Sequence, residues 1–215
     1  MKKKTFALAL MAIYVAVLVG GSLAYFTAED RAVNVITIGK VDIEIVEYHR
    51  ENGELKEIHY DESLPNKGMP ASFNNIEPGQ RIVKKVDIEN RGLNTAWIRA
   101  KIIDGITAAD NLGGGKLSAE VVKYNVNDLQ ATQQMPGTWT LEGEYWYYSE
   151  PVKAGEKITL FDVVTFDGPS MGNAYQGCIT NIQIQADAVQ YEGIGATTCI
   201  EAYQKLNEVS QGGAD

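Results

Sequence analysis

The chain has 215 residues, of which 45% are hydrophobic and 22% charged, and its formal net charge at pH 7 is -9. This composition is typical of a globular protein and excludes a collagen-like, wholly disordered or disulfide-dense chain. The excess of acidic residues also argues against a nucleic-acid partner, because phosphate contacts need clustered lysine and arginine.

Residues 1–24 predict a secretory signal peptide. Residues 2–4 are lysines, residues 6–19 are all hydrophobic, and small side chains follow at Ser22 and Ala24. The 14 hydrophobic residues would span about 21 Å as a helix, less than the ~30 Å hydrocarbon core of a bilayer. We therefore expect cleavage between Ala24 and Tyr25 rather than a permanent anchor, so contact with the membrane is limited to export.

The segment after the expected cleavage site, residues 25–39, predicts a β-strand close to a free N-terminus. Its large apolar side chains between residues 32 and 38 are those of Val33, Val35, Ile36 and Ile38. One interpretation is an ordinary first strand of the fold. The other is a donor strand that pairs with the open edge of a neighbouring subunit, which is β-strand addition.

From residue 40 onward, apolar and polar residues alternate with a period of two, as in half-buried strands. The clearest strands lie at 41–45, 85–89, 96–102 and 182–188, and further strands fit 117–124, 139–148 and 157–166. Glycine-containing turns separate them. The pattern predicts an all-β fold, an antiparallel β-sandwich of jelly-roll type.

A hairpin is predicted around Asn52-Gly53, because this dipeptide suits a type I′ turn. Its register sets His49 opposite Lys56 and places His49 and His59 on opposite faces of the hairpin. These are the only two histidines of the chain, so they cannot bind one metal ion together, and no histidine-based metal site is predicted.

Motifs for catalysis are absent from the sequence: it contains no His-Glu-x-x-His, Gly-x-Ser-x-Gly, P-loop or EF-hand spacing. Carboxylate and amide oxygens around Asp104, Asp110 and Asn111 are compatible with calcium, but we favour a solvated acidic loop. The prediction is therefore no catalytic residue, no cofactor and no metal.

The densest aromatic patch consists of Tyr145, Trp146, Tyr147 and Tyr148. On a strand, two of these side chains face the core and two face outward. The outward pair could stack on sugars or form an interface, which makes the patch a candidate for surface binding. The alternative, which we favour, is cross-strand packing under a loop.

Cys178 and Cys199 are the only cysteines. If residues 178–190 form one straight strand, its ends lie about 40 Å apart. The nine residues that lead from 190 to Cys199 reach back at most ~31 Å, and a disulfide tolerates a Cα separation of only ~7 Å. We therefore expect two free thiols.

One short C-terminal helix is predicted, because residues 198–201, Thr-Cys-Ile-Glu, fit a capping box. Its apolar face would consist of Cys199, Ala202, Tyr203, Leu206 and Val209. Residues 210–215 are expected to form a flexible tail, so the β-sandwich domain with its helix covers residues 40–209.

Three blocks of the sequence resemble the TasA/camelysin family. Residues 20–27, Gly-Gly-Ser-Leu-Ala-Tyr-Phe-Thr, with 34–43, Asn-Val-Ile-Thr-Ile-Gly-Lys-Val-Asp-Ile, are similar to the export segment of Gram-positive proteins cut by the SipW-type signal peptidase. The second block runs from Ile-Glu-Pro-Gly at 76–79 to residue 99. The third joins Tyr-Gln-Gly at 175–177 to Ala-Asp-Ala-Val-Gln at 186–190. The blocks cover less than half of the chain, and residues 104–138 match none.

This resemblance implies a secreted jelly-roll protein of the cell surface or biofilm matrix. TasA-like subunits polymerise into fibres in which the freed N-terminal strand of one subunit completes the sheet of the next; here the donor would be residues 25–38. The resemblance also implies a SipW-type signal peptidase and an accessory matrix protein as partners. The alternatives are a camelysin-like cell-surface metalloendopeptidase, although the chain lacks a recognisable zinc triad, and a monomeric adhesin that uses the aromatic patch.

Overall fold

The computed structural model describes residues 41–58, 76–109, 112–130 and 134–208, with the backbone alone for 27–31, 34–36 and 209–212. The strands and the α-helix of this part follow in chain order as β1 (Thr27–Arg31), β2 (Asn34–Ile36), β3 (Ile43–Glu51), β4 (Glu54–Glu57), β5 (Arg81–Asn90), β6 (Ala96–Thr107), β7 (Lys116–Leu117), β8 (Val122–Tyr124), β9 (Trp139–Glu142), β10 (Tyr145–Tyr148), β11 (Lys157–Phe166), β12 (Ile179–Gln190) and α1 (Cys199–Gly212). The prediction of an all-β fold with one C-terminal helix is confirmed.

The strands form two antiparallel sheets. The larger has the order β2-β1-β12-β6-β10-β9, with β7 paired to the end of β6, and the smaller has the order β4-β3-β5-β11-β8. The longest pairing joins β6 and β12 over 12 residues, from Ile179 opposite Thr107 to Gln190 opposite Ala96. This central pair sets the frame on which the N-terminal strands and the helix are placed.

One hydrophobic cluster draws on both sheets. The larger sheet contributes Ile98, Ala100, Ile184, Ala186 and Ala188, and the smaller contributes Val86, Ile88, Ile158, Leu160 and Val164, all of them buried. The predicted period of two is therefore observed on the inner faces of β5, β6 and β12. Burying each large aliphatic side chain contributes about 1.5–3 kcal/mol relative to exposure.

The hairpin predicted at Asn52-Gly53 is confirmed. Both residues have positive φ angles, 52° and 88°, as a type I′ turn requires. β3 and β4 pair in the predicted register, with His49 opposite Lys56. His59 lies outside the described residues.

Two expected strands are interrupted. The segment 117–124 is broken by a 3-10 turn at Ala119–Val121, so β7 pairs in the larger sheet and β8 in the smaller. The break is needed because the chain changes sheets there. The segment 139–148 is the hairpin β9–β10, turning at Gly143 with a φ of 63°. The strand expected at 157–166 is found with those bounds as β11.

The outer face of the larger sheet is not fully exposed to water, as strand alternation alone would predict. Helix α1 packs on it, and Trp97 and Val189 form a second cluster with Cys199, Ala202 and Tyr203 of the helix. Trp97 is only 2% exposed. A half-buried strand at 96–102 would place Trp97, which alternates with Ile98, in water; this is wrong for this end of β6, because the helix covers it.

The start of α1 differs in detail from a capping box. The Thr198 hydroxyl accepts a hydrogen bond from the Glu201 N–H at 3.2 Å, as predicted. The Glu201 carboxylate, however, accepts from the N–H and hydroxyl of Thr197 at 2.8 and 2.9 Å. The helix continues to Gly212, so it includes part of the tail expected at 210–215; residues 213–215 lie outside the described chain.

Candidate functional site

The two N-terminal strands form one margin of the larger sheet. β1 pairs with β12, from Thr27 opposite Val189 to Arg31 opposite Gln185. β2 pairs with β1, with Glu29 opposite Ile36, and no other described strand pairs with it. Of the predicted donor residues, Val35 and Ile36 belong to β2, whereas Val33 and Ile38, like the cleavage residues Ala24 and Tyr25, lie outside the described residues.

Strand β12 has two different neighbours. On one side it pairs with β6 along its whole length, and on the other β1 covers only residues 185–189. Ala186 and Ala188 lie on the inner face and are fully buried. A strand that pairs with this part of β12 therefore borders the core. Its backbone N–H and C=O groups form the hydrogen bonds that β12 would otherwise lack on that side.

The sequence of β1 suits this position poorly. Glu29, Asp30 and Arg31 are three consecutive charged residues in a strand of five. A strand so rich in charged residues is a poor neighbour for the buried alanines of β12, because burial of an uncompensated charge is costly. The neighbouring strand β2 carries the apolar Val35 and Ile36, yet among the described strands it lies at the edge and has one partner. The more apolar strand is thus the outer one.

The aromatic patch splits between the two faces of β10. Tyr148 is buried in the main core, with its ring 5.0 Å from that of Trp139, and its hydroxyl accepts a hydrogen bond from the Gly137 N–H. Trp146 packs against the same core. Tyr145 and Tyr147 face the other way, with ring centroids 6.4 Å apart. Two of the four side chains are therefore inside and two outside.

Arg99 fills the space beside the outer pair. Its guanidinium carbon lies 3.9 Å from the ring centroid of Tyr145 and 4.1 Å from that of Tyr203 on α1. Its Nε and Nη2 donate to Oδ2 of Asp187 at 2.8 and 2.7 Å. The register explains the cluster, since Arg99 lies opposite Tyr147 on β10 and Asp187 on β12. The ring face of Tyr145 that Arg99 covers is closed to a ligand.

The electrostatics of this cluster keep Arg99 charged. Burial opposes its charge, but Tyr203 and Asp187 outweigh that effect and raise the pKa of Arg99. Burial also raises the pKa of Tyr203 well above its usual value. The sequence did not identify Arg99 or Asp187 as part of this site. Their neighbours across β6, β10 and β12 depend on the strand register, and no turn between these strands specifies that register.

Other chemistry-bearing residues are dispersed. Asp104, named for a calcium site, accepts a hydrogen bond from the Tyr124 hydroxyl at 3.0 Å, and Asp110 and Asn111 lie outside the described residues. Within the described ranges, no three side chains of His, Cys, Asp or Glu are grouped so that they could hold a metal ion. Nor does this part of the chain include a helix that is both long and apolar enough to cross a membrane.

The two thiols are free and buried in different clusters. Cys178 belongs to the main core and Cys199 to the cluster under α1. The 12-residue strand β12 lies between them in sequence. Burial raises the pKa of the Cys199 thiol to about 12, and its Sγ donates to the Ile98 carbonyl at 3.2 Å.

Comparison with known proteins adds no relative: no family model, no curated protein and no solved structure matches this chain. The TasA/camelysin resemblance accordingly rests on the three sequence blocks alone. Among the features of the described residues, the pairing of β1 and β2 at the margin beside β12 points most directly to a function.

Proposed function

We propose that this chain is a secreted structural protein of the cell surface or biofilm matrix, a TasA-like subunit that assembles into extracellular fibres by N-terminal strand exchange. The observation that carries the proposal is the mismatch at the sheet margin. A charged strand, β1, lies beside the buried alanines of β12, while the apolar β2 next to it pairs with no second strand in the part of the chain that the structure describes.

We also propose a jelly-roll topology. A jelly roll is an antiparallel ribbon rolled into two sheets, so its strands pair from the outside of the chain inward. The nested pairs β1 with β12, β5 with β11, and β6 with β10 support it. In such a roll the first strand and the last strand are neighbours, which makes the N-terminal strand a natural element for exchange between subunits.

Exchange would replace β1 beside β12 by the apolar segment 33–38 of a neighbour. The backbone hydrogen bonds that β12 would lose with β1 and gain with the donor segment are of the same kind. The free-energy difference between the two pairings therefore depends on the side chains. A buried valine or isoleucine contributes about 1.5–3 kcal/mol relative to exposure, whereas burying a charge is unfavourable. Because donor and acceptor surfaces differ, the contact is head-to-tail and extends into an open filament.

Signal-peptide removal would act as the trigger. The segment 25–39 follows directly on the expected cleavage site, so before cleavage its N-terminal end is held at the membrane. A SipW-type signal peptidase would release it outside the cell, where self-association and an accessory matrix protein are the proposed partners. The signal-peptide pattern and the β-rich segment behind it support this sequence of events.

The first experiment compares the mature chain, residues 25–215, with residues 40–215 by electron microscopy and sedimentation. We expect filaments from the longer chain only, and a peptide of residues 25–39 should bind the shorter chain and keep it monomeric. A peptide of the same composition in scrambled order is the control. Filaments from both chains, or from neither, would contradict the proposal.

The second experiment tests the role of the charges in β1. Replacing Glu29, Asp30 and Arg31 together by threonine in the mature chain makes the home strand a better neighbour for β12. We expect slower filament growth and a more stable monomer. Replacing Val35 and Ile36 by aspartate should abolish growth for the opposite reason. Equal growth rates in wild type and the threonine variant would refute the argument from mismatch.

A further inference from the structure

The outer face of the smaller sheet contains a cavity that the assembly proposal does not use. Its volume is about 420 Å³, and it is lined by Arg50, Arg81, Val83, Gln130 and Val163. These residues come from β3, β5, β11 and the segment after β8. A volume of this size lies within the ~300–1,000 Å³ range of small-molecule sites.

The strand register explains why these side chains converge. Val83 lies opposite Val163, and their pair forms an apolar floor. In the next row of the same face, Thr165 lies opposite Arg81 on one side and Lys123 of β8 on the other. The floor is thus bordered by cationic side chains, and Gln130 adds an amide.

The cations at this cavity carry no ion pair within the described part of the chain. Arg50, Arg81 and Lys123 are exposed, and no carboxylate oxygen of a described residue lies within 4.0 Å of their charged nitrogens. The other two arginines with described side chains are paired: Arg91 with Glu44 and Glu89, and Arg99 with Asp187. In a chain with a net charge of -9, two arginines beside an apolar floor, with no acidic partner among the described residues, form a local positive site that suits an anion.

We propose that this cavity binds a small organic anion that has an oxyanion head, carboxylate or phosphate, on an apolar body. The planar guanidinium of arginine matches both heads through two parallel hydrogen bonds. The two arginines would hold the head, and the Val83–Val163 floor would take the apolar part. This site lies on the outer face of the smaller sheet, whereas the N-terminal strands belong to the larger one, and it does not depend on fibre assembly.

The test is a titration of the mature chain, residues 25–215, carrying Val35→Asp and Ile36→Asp so that it does not grow into filaments, with valine methyl groups labelled for NMR. The probes are hexanoate, acetate and inorganic phosphate. We expect hexanoate to shift the methyl signals of Val83 and Val163 saturably, acetate to bind more weakly because it lacks the tail, and added salt to weaken every probe that binds. Inorganic phosphate reports whether the head alone is sufficient.

Variants assign the effect to the arginines. Arg50→Gln and Arg81→Gln should each weaken hexanoate binding about tenfold, since each removes a charge-assisted contact. Arg91→Gln is the control, because it removes an arginine that follows the other end of β5 and is already paired, and it should leave binding unchanged. The methyl spectrum of each variant without probe shows whether it is folded.

Three outcomes would overturn the proposal. The first is no saturable shift at Val83 and Val163 with any probe, and the second is an equal loss of binding in Arg91→Gln. The third is a concentration-dependent self-association that Arg50→Gln and Arg81→Gln abolish while no probe binds, which would make the occupant a second copy of the chain. Filament formation by residues 25–215 is scored separately, so failure here leaves the proposed assembly intact.

Discussion

Arg99 makes three contacts on the outer face of the larger sheet, and Arg99→Met removes them together while keeping much of the apolar stem. The guanidinium lies 3.9 Å from the Tyr145 ring and 4.1 Å from the Tyr203 ring, and it pairs with Asp187. Each ring contact is worth about 0.5–2 kcal/mol. The Asp187 side chain is 11% exposed, and breaking a largely buried pair costs about 3–5 kcal/mol.

We therefore expect the free energy of unfolding to fall by about 3–5 kcal/mol in Arg99→Met, since the contacts are not additive. Urea denaturation, followed by tyrosine and tryptophan fluorescence, measures it. Arg91→Met is the matched control: the Arg91 side chain is 50% exposed in its pairs with Glu44 and Glu89, so the expected loss is under about 1 kcal/mol.

The double variant Arg99→Met/Asp187→Leu distinguishes two contributions to the loss of stability: the charge of Asp187 left without Arg99, and the packing lost with the guanidinium. Replacing both members of a buried pair by apolar residues is often neutral, so we expect it to be more stable than Arg99→Met by at least about 1 kcal/mol. A loss in Arg99→Met no greater than that in Arg91→Met would refute the reasoning. A double variant less stable than Arg99→Met would show that packing, not charge, dominates the loss.

Three further changes test other parts of the fold. Gly137→Ala should lower the free energy of unfolding by about 1–3 kcal/mol, because an added Cβ would lie 2.7 Å from Cζ of Tyr148; an unchanged urea midpoint would contradict this. Thr198→Ala should cost about 1 kcal/mol in a thermal melt through loss of the helix cap to Glu201, while Thr198→Ser should retain it. Burial raises the pKa of Cys199 from 9.0 to about 12, so the unfolded chain loses that proton first and stability falls as pH rises from about 9 towards 12. Urea midpoints at about pH 8 and 10.5 measure the fall; Cys199→Ala should show less of it, and an equal fall would exclude this thiol as a cause.

Prediction from sequence worked where a local rule determines the structure. The Asn52-Gly53 turn fixes the β3–β4 register because only a few turn geometries join two strands so closely. The alternation in β6 and β12 identified the inner residues Ile98 and Ala186 because a strand buried on one face has a period of two. Residues 198–201 located the helix start because the cap is a contact within one turn.

The failures share a cause in tertiary structure. Trp97 is buried because a helix about 100 residues later in the chain covers it, and alternation along β6 carries no information about that helix. The segment 117–124 has strand-like composition throughout, yet it bends because its two ends belong to different sheets. The cluster around Arg99 depends on strands distant in sequence, so only the assembled sheet brings its members together.

The pairing of β1 with β12 has a consequence for the order of events during export. Thr27 meets Val189, about 160 residues later in the chain. At synthesis rates of about 5–20 residues per second, the first strand waits roughly 8–30 s for its partner to be made. Throughout that interval the peptide bonds around the expected cleavage site have no sheet to join. A first strand whose partner is made last stays without that partner for most of synthesis, which is the condition under which a strand from another subunit could take its place.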